Sequence, residues 1–289
     1  MTLKETLDKT VHFFKAKGLD NPRVDTEYLF HHALGLERID LYVNFERIMT
    51  EQELDQLRPL IKRRGQGEPV AYITGEREFY GFPYKVNSSV LIPRPETELI
   101  VDQVLDCVKA GSLKEDMHFI DLGTGSGCIG LTLAKKLESS RSLLVDVSSE
   151  AIGVAKGNGE DLSVLDRVEF LEQDASTITM DQLPQNFEGR VDVVVANPPY
   201  IAESDQNVAS DVREFEPSTA LFCEDQGYAL PEKWLEVAWS LNPQVVVFEM
   251  GYNQGERLKQ KAQSIAPEAQ VEVIQDYNQQ DRILVISRK

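Results

Sequence analysis

The sequence is poor in the residues that build disulfide frameworks and metal sites. Only three of its 289 residues are cysteine and four are histidine. The cysteines, Cys107, Cys128 and Cys223, lie far apart in the chain. Because their number is odd and their spacing matches no zinc or disulfide pattern, we expect buried free thiols and no bound metal.

The sequence also lacks a long uncharged apolar run. No stretch approaches the roughly 18 apolar residues that a membrane-spanning helix needs. Residues 1–20 carry charges throughout, where a signal peptide would have an apolar segment. We therefore expect a cytoplasmic protein without a membrane partner. With 289 residues, 42% of them apolar, the chain is long enough for two domains.

Basic residues are scarce relative to acidic ones, and the imbalance is uneven. The chain has 30 Lys and Arg against 48 Asp and Glu, a net charge of −18. Residues 1–85 hold 13 basic against 14 acidic residues, so the excess lies in the remainder. Proteins bind nucleic acids largely through cations that displace counterions, so this composition disfavours DNA and RNA and favours a basic protein partner. A purely solubilising role is the alternative.

The spacing of apolar residues divides the chain into three parts. Residues 1–70 have helical periodicity and two helix-start signals, Asn21-Pro22 and the capping box of Thr50 with Glu53, which predicts a small helical domain. Residues 71–92 alternate aromatic or β-branched residues with polar ones, which predicts a β-hairpin that links two domains.

From residue 93 to 289, apolar strands alternate with amphipathic helices. This pattern predicts an α/β fold with a doubly wound, mostly parallel, seven-stranded sheet covered by helices on both faces. The strands are expected at residues 117–122, 141–147, 167–173, 190–196, 244–249, 270–275 and 282–287.

A glycine-rich turn follows the first of these strands. Asp121 precedes Gly123, Gly125 and Gly127, and such a turn at the carboxyl end of a strand lets a ligand approach the backbone closely. The G-x-G-x-G spacing differs from that of dinucleotide binders, and an acidic residue before it would repel a pyrophosphate. The turn therefore favours a cationic ligand, and a purely structural strand-turn-helix is the alternative.

The next two strands also end in carboxylates. Asp146 follows the glycines at the distance at which a carboxylate accepts hydrogen bonds from ribose hydroxyls. Asp174 ends the third strand, where it would accept from the exocyclic amine of an adenine. Either residue could instead cap the helix that follows it. Three carboxylates at the ends of successive strands together indicate a nucleoside site.

This arrangement resembles the class I S-adenosylmethionine-dependent methyltransferases over residues 115–289. The resemblance implies a Rossmann-like fold and S-adenosyl-L-methionine as cofactor, with S-adenosyl-L-homocysteine as product. It implies that Asp121 lies near the cofactor ammonium, Asp146 on the ribose, and Asp174 with Ala175 beside the adenine. The methionine and ribose portions would be lined by Gly123, Thr124, Gly125, Ser126 and Gly127.

The fourth strand ends in the tip Asn197-Pro198-Pro199-Tyr200. Consecutive prolines cannot continue a strand ladder and hold the backbone rigid. The side-chain carbonyl of Asn197 and the main-chain carbonyl of Pro198 are two acceptors for the two hydrogens of one NH₂ group. Tyr200 offers a ring face to a planar group. A proline turn that only ends a buried strand is the alternative.

Such a grip aims the nitrogen lone pair of an amide or aromatic amine at a methyl donor, and it requires no dedicated base. We therefore expect Asn197, Pro198 and Tyr200 to be catalytic. Pro199 completes the substrate site, and Asn197 also borders the cofactor. Adenine amines and glutamine side chains both present the planar NH₂ that this tip fits.

Three further stretches distinguish these substrates: GEPVAYITGEREFYG at 67–81, LIPRPETE at 91–98 and REFEP at 213–217. Together with the tip and the helical domain, they resemble the protein glutamine-N5 methyltransferases that modify class 1 peptide-chain release factors. The resemblance covers nearly the whole chain. It implies methyl transfer to the glutamine of the Gly-Gly-Gln motif, with the helical domain helping to recognise the protein substrate.

Two other hypotheses stay open. An adenine-N6 methyltransferase acting on nucleic acid would need cations to hold the backbone around a flipped base, whereas residues 203–225 contain seven acids and one base. A non-catalytic binding module that kept the fold would not bind the cofactor. Two single residues also have open roles. Arg94 either contacts the cofactor carboxylate or pairs with Glu96, and Glu249 either faces the cofactor or acts as a cap.

Overall fold

The computed structural model, which describes residues 1–288, contains two compact units. The first comprises Met1–Glu76 and Ala209–Phe215, and the second comprises Arg77–Val208 and the residues from Glu216 onward. No sequence pattern predicted that the late segment would group with the N-terminal helices. The functional division into a recognition domain, a linker and a transferase domain stays a prediction.

Thirteen helical segments occur in the described chain. In order they are α1 (Leu3–Ala16), α2 (Pro22–Leu34), α3 (Arg38–Val43), α4 (Glu51–Gly65), α5 (Val70–Thr74), α6 (Glu98–Lys109), α7 (Cys128–Lys136), α8 (Ser149–Leu162), α9 (Ser210–Phe215), α10 (Ser218–Leu221), α11 (Glu224–Gly227), α12 (Ala229–Ser240) and α13 (Gly255–Ile265). Short 3₁₀ turns lie at Pro95–Thr97, Ala175–Thr177, Met180–Gln182 and Gln185–Phe187. No described helix combines the length and the apolarity that a membrane crossing requires.

Eleven strands accompany these helices among the described residues. They are β1 (Glu76–Phe79), β2 (Phe82–Lys85), β3 (His118–Leu122), β4 (Arg141–Asp146), β5 (Val168–Glu172), β6 (Val193–Ala196), β7 (Ile201–Ala202), β8 (Phe222–Cys223), β9 (Val245–Glu249), β10 (Gln270–Gln275) and β11 (Asp281–Ser287).

Local capping signals begin two helices of the helical unit. At α4, Thr50 Oγ1 accepts from the Glu53 amide at 3.3 Å, and the Thr50 amide donates to Glu53 at 2.8 Å, as the capping box predicts. Thr2 and Glu5 form the same box at α1. By contrast, no side-chain hydrogen bond joins Asn21 to the described start of α2. There the proline in the first turn provides the start signal alone.

Arg64 explains why the late segment groups with the N-terminal helices. Its side chain is buried and pairs with Asp25 at 2.7 Å and with Asp211 of α9 at 3.8 Å. It also donates to the main-chain carbonyls of Gly67 and Glu68 at 3.0 and 3.1 Å. A buried guanidinium is tolerated only when it is paired and hydrogen-bonded, so these partners are held around it.

The predicted hairpin over 71–92 is shorter than expected. Its first part is the helix α5, and only β1 and β2 form the two-stranded sheet. The strand interpretation of residues 71–74 was wrong because Gly75, with φ of 77°, ends a helical turn in the left-handed conformation. Tyr80 and Gly81 turn the hairpin with φ of 53° and 78°, which is the combination that a type I′ turn requires.

The main sheet has seven strands in the order β10-β11-β9-β6-β3-β4-β5. Among the described strands of this sheet, β11 runs opposite to the other six and pairs antiparallel with β10 and β9. The doubly wound, mostly parallel sheet and its seven strands are therefore confirmed. The direction of winding changes at β3, where the chain adds β4 and β5 on one side and β6 and β9 on the other. Open α/β sheets bind ligands at such a switch point.

Both faces of the central strands are buried, which accounts for their continuous apolar runs. Phe119 and Val195 belong to the core on one face of the sheet, whereas Ile120 and Val194 belong to the core on the other. Side chains alternate along a strand, so a strand covered on both faces reads as uniformly apolar. The free thiols fit this picture, since Cys128 and Cys223 are buried, although Cys107 is only half-buried.

Gly227 lies where only glycine fits. Its φ is +89°, and a Cβ at this position would lie 2.2 Å from the carbonyl oxygen of Tyr200. Gly111 has a similar φ of +76°, but nothing lies within 4 Å of the equivalent Cβ position. A comparison of substitutions at the two glycines therefore separates the cost of backbone strain from the cost of steric collision.

We expect Gly227→Ala to lower the melting temperature more than Gly111→Ala. Each substitution costs about 1–2 kcal/mol for the left-handed conformation. Gly227→Ala adds a collision with a backbone atom, worth about 1–3 kcal/mol more. Differential scanning calorimetry of both variants measures the difference, and equal losses would contradict the expectation.

Candidate active site

A cavity of about 360 Å³ opens at the carboxyl ends of the central strands. Ten of the predicted site residues line it: Arg94, Gly123, Thr124, Gly125, Ser126, Asp146, Asp174, Ala175, Asn197 and Pro199. Four others lie outside this lining, namely Asp121, Gly127, Pro198 and Tyr200. The sheet thus brings together residues from four strand ends, as the sequence predicts.

The three glycines of the turn after β3 meet two different physical requirements. All three have positive φ, of 71°, 55° and 83°. A Cβ on Gly123 would lie 2.6 Å from the ring of Trp234, and one on Gly127 would lie 2.5 Å from Leu131. Nothing lies within 4 Å of the Cβ position of Gly125. Gly123 and Gly127 therefore allow packing, and Gly125 leaves open space on the cavity side.

The carboxylate of Asp121 forms hydrogen bonds with this turn and with the helix that follows it. It is fully buried, and its Oδ2 accepts from Thr124 Oγ1 at 2.7 Å and from the Gly130 amide at 3.0 Å. Among the described residues its buried Oδ1 has no hydrogen-bond partner. Burial raises the pKa of Asp121 from its usual 3.8 to about 6, against the effect of these two hydrogen bonds. Its predicted place near a cofactor ammonium stays a prediction, for which Oδ1 is the available acceptor.

Asp146 connects the ends of β3 and β4. Its Oδ2 accepts from the Gly125 amide at 2.9 Å, and its Oδ1 accepts from the Ser148 amide at 3.0 Å. Burial raises the pKa of this carboxyl group, and the backbone amides oppose the rise. Each oxygen has lone pairs beyond these bonds, so Asp146 can also accept from hydroxyls in the cavity.

Asp174 performs the capping role that the sequence left open. Its Oδ1 accepts from the Ser176 amide at 2.8 Å at the start of the 3₁₀ turn. The residue also lines the cavity beside Ala175. The cap and a contact with an adenine amine are compatible, because the cap occupies only part of the carboxylate.

Behind the tip of β6 lies the buried carboxylate of Glu249, which is 1% exposed. Thr97 Oγ1 donates to Glu249 Oε2 at 2.6 Å, and the Tyr200 hydroxyl donates to Glu249 Oε1 at 3.1 Å. Asn197 Nδ2 donates to Thr97 Oγ1 at 3.3 Å. Glu249 thus lies outside the cavity lining and makes its contacts with the residues that support the tip.

Tyr200 is fixed at its main chain as well as at its ring. Gln254 Nε2 donates to the carbonyls of Tyr200 and Gly227, both at 3.0 Å. Gln254 Oε1 accepts from the Gly251 amide at 2.9 Å. Burial raises the pKa of the Tyr200 hydroxyl, and the carboxylate of Glu249 adds to the rise. The tyrosine is therefore a neutral, fixed ring in the site.

Arg94 pairs with a residue that the sequence did not suggest. Its Nη2 donates to Glu216 Oε1 at 2.5 Å, and the Ile92 amide donates to Glu216 Oε2 at 3.2 Å. Pairing with Glu96 was one of the two alternatives for Arg94, and the structure shows Glu216 instead, whose buried carboxylate requires a cation. The ion pair joins two of the quoted stretches, LIPRPETE and REFEP. A contact between Arg94 and the cofactor carboxylate stays a prediction.

Sequence reasoning missed Thr97 and Trp234, which both line the cavity. Thr97 is inside a quoted stretch, but its position gave no sign of a partner 152 residues later in the chain. Trp234 lies on the buried side of α12, where an aromatic residue predicts core packing alone. Its indole donates to Ser176 Oγ at 3.1 Å, which fixes the ring against the glycine turn.

Profiles of known families match both parts of the chain. A profile of the PrmC N-terminal domain matches residues 5–75, and a methyltransferase domain profile matches residues 113–271. Release factor glutamine methyltransferases are similar over almost the full length. The one from Chlorobaculum tepidum is 38% identical and covers 96% of this chain and 94% of its own. The one from Staphylococcus aureus is 35% identical and covers 97% of each.

Solved structures with a similar fold include the N-terminal domain of human METTL16 in complex with SAH. It has a TM-score of 0.54 and 18% identity, and it covers 79% of this chain and 84% of its own. The METTL16 catalytic domain bound to a MAT2A 3′UTR hairpin has a TM-score of 0.56 at 18% identity, with coverage of 80% and 81%. At this identity the similarity shows the fold alone.

The seven-stranded sheet, the glycine turn and the cavity at the strand ends define a class I methyltransferase. Within that class, the identities over nearly the whole length are decisive. The chain belongs to the family of release factor glutamine methyltransferases.

Asp121 makes a pH-dependent contribution to stability that can be isolated by substitution. Because its folded pKa is about 6 and its usual value is 3.8, its contribution is fully present below pH 3.8 and is lost as the pH rises through 6. The loss is about 3 kcal/mol as an upper value. Asp121→Asn stays neutral and lacks this loss.

We therefore expect the unfolding free energy of the parent to fall, relative to Asp121→Asn, between pH 4 and pH 7. Urea unfolding of both proteins across this range measures the difference. The comparison cancels other buried carboxylates, since Asp146 and Glu249 are present in both proteins. Parallel pH profiles would contradict the raised pKa.

Proposed function

We propose that the protein transfers a methyl group from S-adenosyl-L-methionine to the side-chain nitrogen N5 of glutamine in the Gly-Gly-Gln motif of a class 1 peptide-chain release factor, in the cytoplasm. The observation that carries the proposal is the tip of β6. Its asparagine amide is tied by Nδ2 to Thr97, which leaves Oδ1 to accept from a substrate. The relatives named release factor glutamine methyltransferase support the same substrate.

The cavity residues fit the cofactor. Its volume of about 360 Å³ suits a nucleoside joined to an amino acid. The space at Gly125 allows close approach to the backbone, and Asp146 has acceptor capacity for ribose hydroxyls. Outside the cavity lining, Asp121 has one buried oxygen with no partner among the described residues, which suits a cationic group at the turn. Asp174 and Ala175 would border the adenine.

The cofactor supplies an electrophilic methyl group when it is bound. The protein's part is to orient the glutamine amide, whose lone pair is delocalised and therefore weakly nucleophilic. The carbonyl oxygens of Asn197 and Pro198 accept one amide hydrogen each, which directs the nitrogen lone pair away from them. They also stabilise the positive charge that grows on nitrogen. The ring of Tyr200 supports the plane of the amide.

Positioning accounts for most of this catalysis. Holding the reactants in the correct geometry removes a large part of the entropic barrier. The methylated nitrogen becomes strongly acidic and loses its proton to water, so a dedicated base is unnecessary. Glycines on either side of the target glutamine would let its backbone enter a narrow site without side-chain obstruction.

The charge of the protein favours a protein substrate over a nucleic acid. Residues 203–225 carry seven acids, three of which, Asp211, Glu216 and Asp225, form ion pairs. With seven acids and one base the segment is strongly acidic as a whole, which would repel a phosphate backbone. We propose that the helical domain contributes to recognition of the release factor, as the family resemblance implies.

The direct test is incubation of the protein with a release factor and methyl-labelled S-adenosylmethionine. Peptide mass spectrometry is expected to find one added methyl group on the glutamine of Gly-Gly-Gln. A release factor with that glutamine replaced by alanine is the control. Labelled nucleic acid in place of labelled protein would favour the adenine-N6 alternative. Failure of the protein to bind the cofactor in calorimetry would favour a non-catalytic module.

Asn197→Ala is expected to lower methyl transfer by about 100-fold or more, because it removes one of two acceptors that act on the growing charge. Cofactor affinity, measured by calorimetry, is expected to stay within about threefold of the parent. A parent-like turnover rate for Asn197→Ala would reject the role of the tip.

Gly125→Ala is expected to weaken cofactor binding by about tenfold or more, because the new methyl group occupies the open space at the turn. Gly111→Ala has the same class of backbone strain outside the cavity lining and serves as its control. Calorimetric titration of both variants with S-adenosylhomocysteine makes the comparison. Unchanged affinity in Gly125→Ala would show that the ligand does not approach this glycine.

A further inference from the structure

The carboxylate of Glu249 is a one-sided hydrogen-bonding partner for the tip. An ionised carboxylate has no hydrogen to donate, so both of its oxygens only accept. The hydroxyls of Thr97 and Tyr200 approach one oxygen each, at 2.6 and 3.1 Å. Both hydroxyl hydrogens must therefore point toward Glu249.

The single hydrogen of the Thr97 hydroxyl is used in this contact. Its oxygen can then only accept from the third group in reach, which is Asn197. An asparagine amide has an NH₂ end and a carbonyl end, and only the NH₂ end can donate. The 3.3 Å contact is therefore made by Nδ2. The carbonyl end is directed away from Thr97.

The surroundings of Glu249 act on its carboxyl group in opposite directions. Burial is the largest effect and raises the pKa of Glu249 overall, and the hydroxyls of Thr97 and Tyr200 and the charge of Arg282 oppose this rise. Glu96 acts in the opposite direction. Arg282 is itself half-buried and paired with Asp276 at 3.2 Å. The chain of hydrogen bonds through Thr97 is that of the ionised form, in which both hydroxyls donate to the carboxylate.

We propose that Thr97 and Glu249 are positioning residues that fix the orientation of the Asn197 amide, so that its carbonyl oxygen faces the amide of the substrate. This inference rests on the proposed function. In this division of roles, Asn197 contacts the substrate amide, and Thr97, which also lines the cavity, and Glu249 act on that amide through Asn197.

The consequence of losing this control is a reversed amide. The two ends of an asparagine side chain have almost the same shape, so sterics alone do not select between them. A reversed amide would direct an NH₂ group at the NH₂ group of the substrate, and one hydrogen-bond acceptor would be replaced by a donor. The substrate would still enter, but its nitrogen would no longer be aimed.

Thr97→Val tests the proposal because valine keeps the shape of threonine and lacks the hydroxyl. With methylation of a release factor as the assay, kcat is expected to fall by about 10- to 100-fold, as misplacement of a reactive group commonly causes. KM for the release factor and affinity for S-adenosylhomocysteine are expected to change less than about threefold. Thr97→Ser keeps the hydroxyl and is expected to recover most of the rate.

Thr132→Val is the matched control for the loss of a buried hydroxyl. Thr132 is fully buried and its hydroxyl contacts that of Tyr84 at 2.7 Å, outside the cavity lining. Melting temperatures of all variants report whether each one folds. If Thr97→Val does not fold, Thr97→Ala is the second variant without a hydroxyl.

A double-mutant cycle separates action through Asn197 from a general structural effect. In an Asn197→Ala background, Thr97→Val is expected to change the residual rate less than about twofold. The proposal is overturned if Thr97→Val is as active as the parent, if Thr97→Ser is as slow as Thr97→Val, or if Thr97→Val costs as much in the Asn197→Ala background. A parent that methylates nucleic acid in place of the release factor rejects the proposed function itself, whatever the variants do.

Discussion

A carboxylate enclosed in a protein interior requires hydrogen-bond donors, and for Glu249 the catalytic unit supplies one donor to each oxygen. Leaving a buried carboxylate unpaired costs several kcal/mol, roughly the whole margin of stability of a domain. The hydroxyls of Thr97 and Tyr200 meet the requirement from two different parts of the chain. The two hydrogen bonds that stabilise the buried Glu249 therefore also hold the tip of β6 in place. The same contacts serve the stability of the fold and the orientation of the tip.

The register of the sheet places the two halves of the site side by side. Leu122 at the end of β3 pairs with Ala196 at the end of β6. The glycine turn and the asparagine tip therefore follow the carboxyl ends of two neighbouring strands and begin side by side. A one-residue slip between β3 and β6 would move these two strand ends out of line, so the register of the ladder sets how close the turn and the tip lie.

Periodic and local features could be read from the sequence. All seven strands of the main sheet, the capping box at Thr50 and the glycine turn follow from patterns within a few residues of each other. Contacts between distant residues left no such pattern. Arg94 meets Glu216 122 residues later, and α9 returns to the N-terminal helices through Asp211. Local patterns were also ambiguous at α5, where apolar residues before a glycine suited a helix as well as a strand.

The position of Glu249 argues against a role as the base of the proposed reaction. Both of its oxygens already accept from hydroxyls, and the residue lies outside the cavity lining. A carboxylate in contact with the target nitrogen would also compete with the two carbonyls that orient it. One hydroxyl group, that of Thr97, separates the charge of Glu249 from Asn197. This charge polarises the hydrogen bonds through Thr97, which makes the Asn197 carbonyl a stronger acceptor when positive charge grows on the substrate. The proton that the methylated amide releases can pass to water, so the reaction does not require Glu249 to accept it, and Glu249 can keep the amide in one orientation throughout.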